Sequence, residues 1–380
     1  MSFISDPIYV LSILCLMVIL SEKVAKTKYG KQFGTALIVI VFTAIISNLK
    51  LIPSASNSIG LYSGIFKYIA PISIFYLLLS VNLTSIKKAG LPMVGLFLLG
   101  SLATTLGVFI SWFLLSPENT LGADGEIIAG MLTGTYTGGS VNFNAVAIEY
   151  DFQEKGILYA GTIAVDNVVT TLWIVATLSI PLIMRRFWKP KPSLMSKAEA
   201  NGGGHPEEEA MDSRSLMWLA FLGVGAFYVS EVISNFAPQI PSILILTTIG
   251  IILAQFKFVA GLKGSQNLGL YLVYLFLAVI GAYCELSAVA ELKDVGITLL
   301  LFAGIAVLLH GLIIILIGGL VYRDWDMIAI VSQANVGGGT TAIALAETFD
   351  RKELILPAIL VGSLGNALGT YLGFLVIYLL

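Results

Sequence analysis

The sequence predicts an all-α polytopic membrane protein made of two related halves, and three observations predict it. Of 380 residues, 57% are hydrophobic and only 12% charged, with a mean hydropathy of +0.92; a soluble chain carries about twice that share of charge. Ten apolar runs approach or exceed the length that crosses a hydrocarbon layer of about 30 Å. A polar, glycine-rich run at Thr133–Asn144, TGTYTGGSVNFN, has an echo at Ser332–Ile343, SQANVGGGTTAI, 199 positions later.

The first run, Pro7–Ser21, follows Asp6 rather than a basic segment and has no small-residue cleavage site after it, so it reads as a retained span and not a signal peptide. Phe33–Leu49, Ser63–Val81 and Met93–Leu115 follow as further spans. Ile127–Ala147 is long enough to be one but too polar and too rich in Gly, which marks an interrupted element. Gly156–Met184 closes the first half. Residues 185–214 combine Pro, Gly and mixed charge without an apolar period and read as a solvated cytoplasmic linker, in which His205 is incidental. The second half repeats the order: Leu216–Ser234, Pro241–Phe256, Leu268–Glu285, Val295–Val321, the interrupted Met327–Ala346, and Leu354–Leu380.

At the 199-residue offset Gly138, Gly139, Ala145, Ala147, Asp151, Asn167 and Thr171 meet identical residues, a gap-free register that indicates internal duplication. Lys and Arg concentrate in cytoplasmic loops. If both interrupted elements are re-entrant hairpins, 17 of these residues fall inside and 4 outside; if both cross fully, the division is 10 and 11. The hairpin arrangement follows. Each half then has five spans, an odd number, so the repeats are inverted, both termini face outward, and two glycine-rich tips approach from opposite sides. That is the plan of secondary transporters with sites at the repeat interface. The domains expected are repeat 1 over 1–184 (outer helices 1–115, core 127–184) and repeat 2 over 215–380 (outer helices 215–321, core 327–380).

Irregular backbone at membrane depth is tolerated only inside protein or beside a cavity. Gly138–Gly139 and Gly337–Gly338–Gly339 suit such breaks because glycine accepts positive φ and close approach. Thr135, Thr137, Ser140, Asn142 and Asn144 in one tip, with Asn335, Thr340 and Thr341 in the other, supply neutral hydrogen-bonding groups for a solute. Asp166 lies mid-span, and an intramembrane acid is a functional candidate by default; with Asn167, Thr133, Thr170, Gln333 and Asn366 it forms the expected ion set, for sodium or a proton. A protonated Asp166 that only ties two helices together is the structural alternative. His310 reads as a hydrogen-bonded helix contact rather than a proton relay. Tyr136 and Phe143 are either core packing or pocket walls. Glu231 and Glu285, near span ends, take solvated roles.

Several classes are disfavoured. A net charge of −2 without a basic tail gives no basis for nucleic-acid binding, and Cys15 and Cys284 form neither a disulfide framework nor a metal site. No nucleotide-binding motif is present. An aspartyl protease needs paired carboxylates, and Asp166 has no second acid at matched depth. No cofactor is expected beyond the coupling ion. A passive channel lined by the polar tips is a further alternative.

The stretches TGTYTGGSVNFNAVA and AVDN, with QANVGGGTTAIALAE in the second half, resemble the bacterial membrane family catalogued as domain of unknown function 819, over nearly the whole chain. More distantly, the paired tips resemble those of glutamate:sodium and 2-hydroxycarboxylate symporters, and the broken elements those of the bile-acid:sodium symporter and cation:proton antiporter group. Here the tips read GGSV and GGGT, and no intramembrane Arg is present to clamp a carboxylate. The resemblance implies an elevator-type, ion-coupled transporter of a small polar or anionic solute, not an enzyme, sitting as a homodimer in the inner membrane. A cation:proton antiporter is the nearest alternative.

Overall fold

The computed structural model describes residues 3–28, 30, 34–81, 83, 89–190, 212–237, 240–284 and 293–380, and every regular element among them is helical. In chain order these are α1 (Pro7–Ala25), α2 (Gly34–Asn48), α3 (Gly60–Leu78), α4 (Leu91–Leu115), α5 (Asp124–Gly138), α6 (Ser140–Glu149), α7 (Gly156–Phe187), α8 (Ser213–Phe236), α9 (Ser242–Ala254), α10 (Ser265–Tyr283), α11 (Lys293–Val321), α12 (Trp325–Val336), α13 (Gly338–Thr348) and α14 (Ile355–Leu379). Most of the expected linker, with His205, and Glu285 lie outside the described residues.

Eight of these helices are long and apolar enough to cross a membrane: α1, α3, α4, α7, α8, α10, α11 and α14. The other two expected spans, α2 and α9, have 15 and 13 residues. At 1.5 Å per residue they reach only about 20 Å, short of a full hydrocarbon layer. The chain is a multi-pass membrane protein.

Local chemistry sets several boundaries. Asp6 caps α1, accepting hydrogen bonds from the amides of Ile8 (3.0 Å) and Tyr9 (2.9 Å), and Pro7 occupies the first turn, where its missing N–H is harmless. Asp324 caps α12 through the Met327 amide at 3.2 Å. In α3, Pro71 withdraws a donor from the interior, and the turn just before it, Ile65–Ile69, widens to a π-helix.

The two interrupted elements are helical hairpins. The backbone breaks between α5 and α6 at Gly139 (φ 105°) and between α12 and α13 at Gly338 (φ 78°), both in the positive-φ region that favours glycine. The surroundings also correspond: Asp151 (φ 48°) and Asp350 (φ 52°) turn the chain after each hairpin, and α7 and α14 begin at Gly156 and Ile355, 199 residues apart.

The hairpins open at opposite ends of α7. Asp124, at the base of the first, forms an ion pair with Lys155, just before α7. Asp326, at the base of the second, pairs with Arg185 near the end of α7, at 2.7 Å. A helix of 32 residues spans about 48 Å. Both tips then meet on one face of α14: a Cβ added to Gly138 would lie 2.0 Å from the Gly365 carbonyl carbon, and one added to Gly362 would lie 2.6 Å from the Gly339 Cα.

The first hairpin reaches α14 by a glycine contact. Gly130, Gly134 and Gly138 on α5 face Gly373, Gly369 and Gly365 on α14 in antiparallel order, with would-be Cβ atoms within 2.8 Å of the opposing helix at Gly138, Gly365, Gly369 and Gly373. Small residues four apart let two backbones meet and replace side-chain burial by close van der Waals and polar contact. The second hairpin crosses α7 differently, through hydrogen bonds from Trp173 to Ser332 and from Thr177 to Gln333.

The sequence groups α4 and α11 with the outer helices, but both pack on the hairpins. Asn335 of α12 donates to the Phe97 carbonyl (3.3 Å) and the Ser101 hydroxyl (3.1 Å) of α4, and Gly107 of α4 lies against the Ala306 carbonyl of α11. The polar partners meet only after folding, which is why an apolar-run reading separates them. Elsewhere Tyr76 ties α3 to α8 through the Leu219 carbonyl, and Ser47 ties α2 to α10 through Ala282.

Candidate functional site

Along the seam between these two groups of helices lie two cavities, one on each side of α6. The first, the tip cavity, has a volume of about 310 Å³. Its hairpin side is Ser140, Val141, Phe143 and Asn144 of α6, Asp166 and Asn167 of α7 and Asn366 of α14; its other side is Thr35 of α2, Leu77 and Ser80 of α3, and Gln266 and Tyr274 of α10. Among the described residues Asp166 is its single ionisable acid or base apart from the Tyr274 phenol.

Asp166 is half-buried on the cavity wall. Tyr136, Thr170 and Thr135 turn hydroxyls toward its carboxyl, Thr170 donating at 3.4 Å. The carboxylate and these hydroxyl oxygens together form a set of acceptors that a small cation, or a proton on Asp166, can use. The rest of α6 is fixed from behind. Asn142 donates to the Gly365 carbonyl at 3.2 Å and accepts from the Thr370 amide and hydroxyl at 3.1 and 2.8 Å, and Tyr159 donates to Asn144.

Of the residues singled out in the sequence, the tip cavity therefore gathers Ser140, Asn144, Asp166, Asn167 and Asn366, with Thr135 and Thr170 beside the acid. Others hold the hairpins together. Thr133 and Thr137 donate to carbonyls one turn back, at Ala129 and Thr133. Gln333 donates to Thr341, which itself donates to the Gly338 carbonyl. Thr340 is exposed, and none of Asn335, Gly337, Gly338, Gly339, Thr340 and Thr341 lines this cavity.

The second cavity, at the mouth of the first hairpin, has a volume of about 370 Å³. Glu149, Asp151, Gln153 and Glu154 line it from the hairpin side, and Phe66, Lys67, Pro71, Ser230, Glu231 and Ile243 from the other. Glu231 thus faces a cavity rather than open solvent, and the π turn of α3 forms part of the wall. Glu149 ends α6 beyond the apolar spans; burial pushes its carboxyl up to about 7, opposed by the Ile243 amide and reinforced by Glu231 and Asp151. Four rings separate the cavities: Phe143 on the tip cavity, then Tyr159 (5.4 Å between centroids), Phe276 (6.3 Å) and Phe66 (5.8 Å) on the mouth cavity.

His310 is accounted for as a structural contact. Its Nδ1 lies 3.0 Å from the Gly100 carbonyl, which can only accept, so Nδ1 carries the proton. Its Nε2 then accepts from Ser332 at 2.9 Å, and Ser332 accepts from the Trp173 indole at 3.1 Å. One imidazole thereby links α4, α11 and α12. His310→Ala should lower stability by about 2–4 kcal/mol through the lost packing and stranded partners. Thermal unfolding of the purified variant beside wild type checks it; an unchanged midpoint would show that the ring does not hold the three helices.

At the base of the second hairpin Arg351 donates to Asp324 and Asp326 at 2.9 Å and to Glu353 at 2.6 Å, while Arg185 holds Asp326 from α7. Burial works against the Arg351 charge, yet Asp324 and Glu353 outweigh it and raise its pKa further above the usual guanidinium range.

Comparison with known proteins agrees with this architecture at the level of family. Residues 10–380 match the family described as "Protein of unknown function (DUF819)". The chain is also 30% identical over 366 residues to the "Uncharacterized membrane protein YjcL" of Bacillus subtilis (strain 168), covering 91% of this chain and 89% of that protein.

Proposed function

We propose, for this chain, which belongs to the DUF819 family, the function of a secondary active transporter that couples a small polar solute to an ion, sodium rather than a proton, across the bacterial inner membrane. The observation that carries the reading is the seam: an intramembrane acid with hydroxyls turned toward it, in a cavity walled by a glycine-broken hairpin on one side and by different helices on the other. Two hairpins that open at opposite ends of α7 and meet on α14 support two inverted repeats. In the proposed elevator movement the hairpins with α4, α7, α11 and α14 slide as a body against α1–α3 and α8–α10, which would carry the homodimer contact. Asp166 binds the ion, and the polar edge of α6 with Asn167 and Asn366 meets the solute.

The test is the thermal unfolding midpoint of purified protein in sodium and in potassium at equal ionic strength. Wild type should be selectively stabilised by sodium, by about 2.7 kcal/mol at a hundredfold excess over Kd, and Asp166→Asn should lose the difference together with sodium-driven uptake. Equal midpoints in both salts, with uptake indifferent to a sodium gradient, would remove sodium from the mechanism.

A further inference from the structure

The mouth cavity is chemically lopsided. Among the described residues Glu149, Asp151, Glu154 and Glu231 line it against one basic group, the exposed Lys67. Beside them Gln153 is only 2% exposed; its amide nitrogen donates to Asp151 at 3.3 Å, while its Oε1 is buried with no hydrogen-bond partner. A buried acceptor left open in an otherwise tied side chain calls for a donor. Four carboxylates and an amide oxygen make a site rich in acceptors and poor in donors. Among the described residues no group of three His, Cys, Asp or Glu is placed to hold a metal ion, so the geometry does not suit a bare divalent cation. An ammonium group does suit it: three donors and one charge, satisfied by separate acceptors around a cavity of about 370 Å³.

The cavity also lies on the same seam as the tip cavity. Among the described residues no basic side chain lines the tip cavity, where the fixed charge is that of Asp166. A wholly anionic solute would meet fixed acids at both stations and, at the second, only the coupling ion as a counter-charge.

We infer that the mouth cavity is a recognition station for the transported solute and that this solute carries a protonated amine. This rests on the transporter reading above and narrows its solute to amines and amino acids rather than simple organic anions. Carboxylates focused in a partly enclosed cavity raise the local concentration of a cation and speed its capture.

The experiment uses the full-length protein in detergent, with thermal unfolding followed against ethylammonium, alanine and acetate at equal ionic strength, and separately against sodium. Ethylammonium and alanine should stabilise saturably and acetate should not. Glu231→Gln should weaken ethylammonium affinity by about fivefold or more, and Lys67→Ala should tighten it by a similar factor, as expected for one charge at short range in a partly screened site. Both variants should keep the sodium response. The gain in Lys67→Ala cannot be imitated by a misfolded protein. Stabilisation by acetate equal to that by ethylammonium, or amine affinity unchanged in both variants, would overturn the assignment. A sodium response without any amine response would overturn it too while leaving the transporter standing. Amine binding that follows these charges in a protein indifferent to sodium would uphold it and remove sodium coupling instead.

Discussion

Gly138→Ala should abolish uptake and lower the unfolding midpoint of the purified protein. The added methyl carbon would stand 2.0 Å from the Gly365 carbonyl carbon and 2.3 Å from its oxygen, both backbone atoms that no rotamer change can move aside. Overpacking a tight contact costs about 1–3 kcal/mol when side chains can adjust, and here two helices must separate instead. Separation of α5 from α14 would pull the first tip off the face it shares with the second and carry Ser140 and Asn144 away from Asp166. Gly304→Ala is the control: nothing lies within 4 Å of its added carbon, so midpoint and uptake should stay at wild-type values. A Gly138→Ala protein with wild-type midpoint and uptake would show that the glycine contact does not hold the tip.

Arg351→Ala should be the most destabilising single change at the base of the second hairpin. Its side chain is 16% exposed and its partners Asp324, Asp326 and Glu353 are 7–12% exposed, so removal strands buried carboxylates. Breaking a buried ionic cluster on one side typically costs about 3–5 kcal/mol, a fall of roughly 4–6 °C in the unfolding midpoint of a chain this long. Arg351→Lys should recover part of this, since an ammonium restores charge but not the planar fork that reaches three acids. Lys155→Ala, which removes the corresponding pair at the first hairpin, should cost no more than about 1 kcal/mol, because that lysine is 50% exposed. Thermal unfolding of the three variants side by side decides the matter; equal losses in Arg351→Ala and Lys155→Ala would contradict the difference in burial.

Much of this was legible before folding. The breaks at Gly139 and Gly338 could be read because a polar glycine run inside an apolar chain has few physical uses, and its repetition at one offset excludes coincidence. Asp166 was legible for the same reason, as an acid in the middle of an apolar span. The seam was not. Its far wall comes from Thr35, Leu77, Gln266 and Tyr274 on three helices distant in sequence, and an ordinary apolar span carries no mark of which face meets a cavity. The grouping of α4 and α11 with the hairpins depends on Gly100, Ser101, Thr104 and His310 finding Asn335 and Ser332 across a packed interface. The glycine contact between α5 and α14 did have a signal, the four-residue spacing of Gly130, Gly134, Gly138 and of Gly365, Gly369, Gly373, which the glycine-rich tip beside it masks. Several tip polar residues expected at the site, Thr133, Thr137, Asn142 and Gln333, spend their hydrogen bonds within the protein, on carbonyls one turn back, on α14, and on Thr341 and Thr177, and composition cannot separate those two uses.

The position of α6 between the two cavities has a mechanical meaning. Its first turn and a half, Ser140–Asn144, faces one chamber, while its last residues, Ile148 and Glu149, face the other. The centres of those two stretches are separated by about 10 Å of helix rise, so a ten-residue rod serves as both partition and ruler. For the proposed sliding body this sets the stroke: a displacement of about 10 Å along the α6 axis would bring the edge that faced one chamber level with the other, carrying Phe143 and Tyr159 past the rings of Phe276 and Phe66.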